Sequence, residues 1–310
     1  MNLLITGAWK GYSANVEELH KAGHETVFMQ WEKEPLPVRA DWVEGVVCGN
    51  LFLYHPIENF PSLKYIQVTS AGIDRLPVDY IRKHGITLHN AKGVYSIPIA
   101  EYVLGGVLQI YKKFHLFSLR KDNKEWIKDR NLSELFGKKI LIVGCGDIGR
   151  ECAKRFSAFG CHVIGLNRTV TQYDCFHKVY PLNSLDNMLP EADIVVMTIA
   201  YNQETRHLLS EKRLSMMNED AVLVNVSRGG VIDENALVET LAQKRIKGAV
   251  LDVFEEEPLP EESPLWSMDN VFLTPHNSFV GEGNEGRLNQ VIVNYLVDGL
   301  IMNRQKTLNI

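Results

Sequence analysis

Long apolar runs are missing from this chain of 310 residues. No stretch approaches the roughly 18 uninterrupted apolar residues that cross a bilayer as a helix, so a membrane-spanning protein is not expected. The start, MNLLITGAWK, has too short an apolar run and no basic leader to read as a secretory signal. Cysteine is sparse: Cys48, Cys145, Cys152, Cys161 and Cys175 form an odd set with no C-x-x-C pair. That argues against a disulfide framework and suits reduced thiols in a cytoplasmic protein. A basic excess is lacking too, since 33 Lys and Arg face 38 Asp and Glu for a net charge of −5. Nucleic acid is therefore not an expected partner, because neutralising phosphates takes clustered cations. His20 and His24 have helical spacing, but Gly23 should end the helix between them, so no metal pair is expected. What remains, 45% apolar and 23% charged residues, is the composition of an ordinary globular protein long enough for two domains.

Short apolar runs alternate with helical patterns along the chain, the signature of an α/β protein with parallel sheet. In the first hundred residues, Leu3–Ile5, Gly45–Cys48, Tyr65–Val68 and Ile86–Leu88 read as strands, and Asn15–Ala22 as a helix closed by Gly23. A long helix is expected from near Pro98, a first-turn proline, to about Phe117. The polar stretch Arg120–Ser133 reads as a crossing between domains. A second series of strands follows: Lys139–Val143, His162–Leu166, Asp193–Thr198, Ala221–Val226, Gly248–Val253 and Val271–Thr274. A last helix, about Glu285 to Met302, is expected to return to the first domain.

Between the first two strands of that second series stands Gly144-Cys145-Gly146-Asp147-Ile148-Gly149, followed by a helical stripe of Ile148, Cys152, Phe156 and Phe159. A G-x-G-x-x-G in this strand–helix setting points to a dinucleotide. The first glycine makes the turn, the second admits the pyrophosphate and the third lets helix and strand pack closely. The phosphates would then face the helix N-terminal amides. The turn Gly7-Ala8-Trp9-Lys10-Gly11 lacks this spacing and reads as a plain turn. Asn167 falls 18 positions after Gly149, near the ~20-residue offset at which an acid holds a ribose diol. With an amide there, a 2′-phosphate is not repelled, and Arg168 and the Thr169 hydroxyl could hold it. NADP(H) is thus expected over NAD(H), with NAD(H) still possible; the alternative for Arg168 is a solvated loop.

Three later strands deliver polar groups where open α/β sheets bind ligands, beyond their carboxyl ends. One ends in Ser227-Arg228-Gly229-Gly230, one in Glu255-Glu256-Glu257-Pro258 and one in Pro275-His276-Asn277-Ser278. An arginine fork can bind a carboxylate and polarise a carbonyl, while a histidine backed by a carboxylate can give or take a hydroxyl proton. Together they suit hydride exchange between a nicotinamide and a 2-hydroxy or 2-oxo acid. The competing readings are a structural histidine and a solvated acidic loop.

The blocks "ELFGKKILIVGCGDIGRECAKRFSAFG", "ETRHLLSEKRLSMMNEDAVLVNVSRGGVIDENAL", "GAVLDVFEEEPLP" and "LTPHNS" stand in an order that resembles the D-isomer-specific 2-hydroxyacid dehydrogenase family. Its members include glyoxylate/hydroxypyruvate reductases and D-lactate and D-3-phosphoglycerate dehydrogenases. The resemblance implies two Rossmann-like domains with doubly wound parallel sheets and a cleft between them: residues 1–98 with 283–310 for substrate, residues 99–282 for the dinucleotide. It implies Arg228, Glu257 and His276 as the catalytic set, and Asp252 as a nicotinamide contact. Ala200 and Val226 are placed with Gly144, Gly146, Asp147, Ile148 and Gly149 on the cofactor side. "TSAGID" resembles the substrate loop, with the amides of Ala71, Gly72 and Ile73 receiving the carboxylate. A D-specific oxidoreductase, a small 2-oxo acid as partner and a homodimer follow from the same resemblance. Ala200-Tyr201 and Asn277-Ser278 depart from the family's usual Pro-Leu and apolar-Gly. Leu51, Phe52, Leu53, Tyr54 and Tyr95 are candidates to face the substrate side chain, or else core residues. A dehydrogenase-like module that senses a dinucleotide without turnover is the rival reading.

Overall fold

A computed structural model describes residues 1–297, in which every strand pairing is parallel. The chain divides into two units, one of Met1–Tyr95 with the segment from Gly281 onward, the other of Ser96–Val280. The first holds β1 (Asn2–Thr6), α1 (Tyr12–Lys21), β2 (Glu25–Met29), β3 (Gly45–Cys48), β4 (Tyr65–Val68), α2 (Val78–Lys83) and β5 (Thr87–His89). Its sheet runs β2-β1-β3-β4-β5. The second opens with α3 (Ser96–Lys112) and α4 (Phe114–Asp122), then β6 (Lys139–Val143), α5 (Asp147–Ala158), β7 (His162–Asn167) and β8 (Lys178–Pro181). It continues through α6 (Leu185–Met188), β9 (Ile194–Met197), α7 (Glu211–Leu214), β10 (Val222–Asn225), α8 (Glu234–Ala242), β11 (Gly248–Leu251) and β12 (Val271–Leu273). Its sheet order is β12-β11-β10-β9-β6-β7-β8. Both orders reverse beside their first strand, the doubly wound arrangement in which ligands sit at the point of reversal. α9 (Asn284–Leu296) returns to the first unit.

Strands covered on both faces should be largely apolar, and they are, with Gln67 of β4 and Asn225 of β10 among the buried polar exceptions. Leu3, Leu4 and Ile5 are each fully buried, and pleat alternation sends Leu4 into one core and Leu3 and Ile5 into the other. α9 adds Leu288, Ile292 and Leu296, spaced by four, to that second core. Asn289 Oδ1 accepts from Trp9 Nε1 (3.2 Å) and Asn15 Nδ2 (2.8 Å), which fixes the helix against the β1–α1 turn. Gly23 closes α1 as expected, at φ +83° with its amide on His20 O.

Several expectations shift. The edge strands β2 and β8 had no reading as strands, because each has a single buried residue, Met29 and Val179, and so little apolar pattern. The long helix begins at Ser96 and breaks at Lys113, whose φ of +51° cannot continue a right-handed helix. The segment Arg120–Ser133 lies inside the second unit rather than between units. It folds back on the end of α3, where Lys112 Nζ donates to Ser133 O (2.7 Å) and Lys113 pairs with Asp129 (3.2 Å). On α5, Cys152 and Phe156 are fully buried, but Phe159 lies past the helix end and is 44% exposed. The expected last helix is seen to Leu296; its continuation past Val297 lies outside the described residues.

Candidate active site

β6 enters its turn at Gly144, whose φ of +105° suits glycine alone. A side chain there would also strike the backbone of Ile199, 2.7 Å from an added Cβ. At Gly149 an added Cβ would lie 2.1 Å from Gly144 O, so the third glycine is what lets α5 close onto the turn. Gly146 differs: an added Cβ would meet nothing within 4 Å. The middle glycine therefore faces open space at the start of α5, where the first-turn amides of Asp147, Ile148 and Gly149 have no helical carbonyl to reach. A helix start with this access and its positive dipole end fits a pyrophosphate. Asp147 is paired with Arg150 across one helical turn, so the acid at this anion-binding end is neutralised locally. Cys145 is buried beneath the turn, and burial pushes its thiol to about 12, which leaves it protonated and inert.

The segment read from sequence as the ribose end lies one strand over, at the end of β7. Asn167 Nδ2 donates to Thr169 O (3.0 Å), shaping the turn that presents Arg168 and Thr169 to solvent. Arg168 stands 4.0 Å from Glu204, with both side chains more than three-quarters exposed. Such a pair is worth under about 1 kcal/mol, so the guanidinium is available to a stronger anion. Ala200 is exposed beyond β9 on the far side of the reversal point, where Thr205 Oγ1 donates to its carbonyl (2.8 Å).

At the other half of the same sheet edge, the three strand-end groups sit on neighbouring strands β10, β11 and β12. His276 Nδ1 lies 2.8 Å from Glu257 Oε2, and Glu257 Oε1 accepts the Phe254 amide (3.2 Å). Both side chains are about one-third exposed, reachable by a small molecule yet partly shielded from water. Arg228 follows β10 and Val226, its carbonyl held by Asn225 Nδ2 (3.0 Å) and its Nη1 on Ser227 O (2.8 Å). The loops of Arg228 and Glu257 touch backbone to backbone, since a Cβ on Gly229 would lie 1.9 Å from the Phe254 carbonyl carbon.

His276 is left-handed, at φ +50°, a conformation that costs about 1–3 kcal/mol. Asp252 holds it there. The Asp252 carbonyl accepts the His276 amide (2.8 Å), and its carboxylate accepts Asn277 N (2.7 Å) and Ser278 N (3.0 Å) and lies 2.6 Å from Thr274 Oγ1. Each bond to a buried charged acceptor contributes roughly 1.5–3 kcal/mol, so together they outweigh the strain. Asp252, read from sequence as a cofactor contact, is fully buried in this role. Tyr102 on α3, which sequence reasoning missed for want of any motif, reaches the same cluster 2.7 Å from Thr274 Oγ1, and burial raises its hydroxyl above the ordinary range.

In the first unit, the loop after β4 turns its carbonyls inward. Ser70 O accepts Ala91 N (2.9 Å), Ala71 O accepts Asn90 Nδ2 (2.6 Å), Gly72 O accepts Ser70 Oγ (2.8 Å) and Ile73 O accepts Leu76 N (3.0 Å). Among the described residues no hydrogen bond engages the amides of Ala71, Gly72 or Ile73. Carbonyls committed and amides open is the polarity that an anion requires. Of the candidate side-chain contacts, Leu51 is buried in the core and Phe52 packs on it, whereas Leu53 and Tyr54 are exposed. The Tyr95 hydroxyl donates to Thr69 O at the base of this loop.

Residues 104–278 match the family model described as D-isomer specific 2-hydroxyacid dehydrogenase, NAD binding domain. The chain belongs to the D-isomer-specific 2-hydroxyacid dehydrogenase family. It is 34% identical over 222 residues to a D-3-phosphoglycerate dehydrogenase of Methanocaldococcus jannaschii, covering 71% of this chain and 42% of that protein. To a glyoxylate reductase of Thermofilum pendens it is 36% identical over 229 residues, 70% of this chain and 66% of the relative. It thus spans less than two thirds of either relative's length. A solved structure of a D-isomer-specific 2-hydroxyacid dehydrogenase family protein from Aeromonas salmonicida is similar at a TM-score of 0.83 and 28% identity, covering 96% of each chain. The family is one of dehydrogenases, and the strand-end edge just described lies within the matched NAD-binding segment.

Proposed function

We propose that this chain is an NADP(H)-preferring, D-specific reductase of small 2-oxo acids, with residues 99–282 as its dinucleotide domain and residues 1–98 with 283–310 as its substrate domain. The observation that carries this reading is the 2.8 Å contact of Glu257 with His276 Nδ1, on the sheet edge that also bears Arg228. Glu257 accepts the Nδ1 proton and so leaves Nε2 to deliver a proton to the carbonyl oxygen. Arg228 binds the substrate carboxylate and draws electron density from the adjacent carbonyl. The open amides of Ala71, Gly72 and Ile73 would offer further donors to a carboxylate. Gly144, Gly146 and the amides of Asp147, Ile148 and Gly149 would hold the cofactor phosphates, and Asn167, Arg168 and Thr169 a 2′-phosphate. Ala200 and Val226 line the same side, with Asp252 fixing the loop beside the nicotinamide. A bound nicotinamide dinucleotide would supply the hydride. In the reverse direction, neutral His276 takes the hydroxyl proton and Glu257 stabilises the resulting cation.

A second copy of this chain is the proposed partner. Phe114, Leu119, Trp126, Ile127 and Phe136 are all more than half exposed within one segment, apolar side chains that a second copy would cover. Among the described residues no helix is long and apolar enough to cross a membrane, and the five cysteines are free thiols, which supports a cytoplasmic setting. Glyoxylate, hydroxypyruvate, pyruvate and a branched 2-oxo acid should be offered with NADPH while nicotinamide absorbance is followed. Turnover of at least one supports the reading. Tight NADPH binding with no turnover on any would refute it and leave a dinucleotide-binding module.

A further inference from the structure

Glu255 and Glu256 precede Glu257 in an acidic run that sequence alone reads as solvated. The structure treats them differently. Glu255 Oε1 lies 2.8 Å from His207 Nε2 and accepts the Glu234 amide (3.3 Å), while the Glu255 amide donates to Glu234 Oε2 (2.9 Å). His207 follows β9 in a left-handed conformation, φ +47°, and its own amide donates to Gly230 O (2.8 Å), two residues past Arg228. Three loops are therefore cross-braced: the one after β9 through His207, the one bearing Arg228 through Gly230 and Glu234, and the one bearing Glu257 through Glu255. Gly229 packed against Phe254 leaves no slack between the last two.

We propose that His207 and Glu255 are positioning residues that set the Arg228 guanidinium against the Glu257–His276 pair without touching substrate. The proposal rests on the reductase reading above. Burial, with the Glu255 and Glu256 carboxylates nearby, raises the Glu234 carboxyl, so the His207 ring is anchored in a crowded acidic cluster through its 2.8 Å contact with Glu255. A strained left-handed His207 is kept because its amide and ring each hold a different loop. Relaxing this brace should displace the reacting groups by a fraction of an ångström, and a misplacement of about 1 Å costs on the order of 100-fold in rate.

The test is steady-state kinetics of His207→Ala, His207→Gln and Glu255→Gln, with Glu256→Gln as a surface control, on whichever 2-oxo acid the parent reduces. NADPH affinity is measured separately by protein fluorescence, and thermal midpoints by circular dichroism. His207→Ala should lower kcat by roughly 10- to 100-fold, with NADPH affinity within about 2-fold of the parent. His207→Gln, which can still donate to Glu255, should recover most of the loss, and Glu256→Gln should match the parent. An unchanged kcat in His207→Ala overturns the proposal. So does a loss that Gln fails to rescue and that tracks a lower thermal midpoint or weaker NADPH binding, because that is a merely structural role. A parent that binds NADPH and reduces no 2-oxo acid overturns the reductase reading itself, an outcome distinct from an active parent with an indifferent His207.

Discussion

Adding one methyl group at Gly146 and, separately, at Gly149 should divide the phosphate turn into its ligand-facing and its packing parts. At Gly149 the new Cβ would stand 2.1 Å from Gly144 O and 3.1 Å from Thr198 Oγ1, so the backbone itself must shift by more than 1 Å. Overpacking of this kind costs about 3 kcal/mol at the upper end of the usual range. Helix propensity returns about 1 kcal/mol on replacing glycine by alanine. The net loss of about 2 kcal/mol corresponds to a midpoint roughly 4–8 °C lower for a unit of this size. At Gly146 the methyl enters open space, and the backbone, at φ −72° and ψ −163°, accepts alanine. Gly146→Ala should therefore unfold within about 0.5 kcal/mol of the parent. Yet on the proposed reading the methyl would occupy the approach of a pyrophosphate to the helix amides. Losing two charge-assisted hydrogen bonds of about 1.5 kcal/mol each weakens binding on the order of 100-fold. Thermal unfolding without nucleotide and an NADPH titration by protein fluorescence read the two effects separately. Gly146→Ala binding NADPH within about 3-fold of the parent, or Gly149→Ala keeping the parent midpoint, would show that this division of the turn is wrong.

Arg228→Ala should lower kcat/KM for a 2-oxo acid by at least about 100-fold through loss of a charged fork, while NADPH affinity stays within about 2-fold; an active variant refutes its role. Asn167→Asp should turn the kcat/KM ratio toward NADH by roughly 10-fold or more, since a carboxylate repels a 2′-phosphate and favours a diol; an unchanged ratio places phosphate recognition elsewhere. Burial between Tyr65 and Tyr295 lowers the His89 pKa below its ordinary 6.5. The unfolded chain then binds the proton better, so stability is full above about 6.5 and falls as pH drops from there toward the folded value. His89→Leu should flatten that acid limb in chemical denaturation, and an unaltered slope would remove His89 as its source.

Much of this protein was legible in its residue order. Strands buried on both faces announce themselves as runs such as Lys139–Val143, because their apolar character does not depend on what covers them. The glycine turn was readable because the glycines at 144 and 149 answer steric needs fixed by a strand–turn–helix path. Arg228, Glu257 and His276 could be picked as residues following strands. The edge strands β2 and β8 were missed because a single buried residue in each leaves too little pattern, and the break at Lys113 because a returning segment, not local propensity, decides it. Only the tertiary structure could show that Asp252 clamps a left-handed His276, that the loop after β4 commits its carbonyls and frees its amides, and that Glu255 differs from Glu256. Those outcomes turn on pairs such as His207 with Glu255 or Asp252 with Ser278, far apart in sequence and joined only when neighbouring strands bring their loops to one sheet edge.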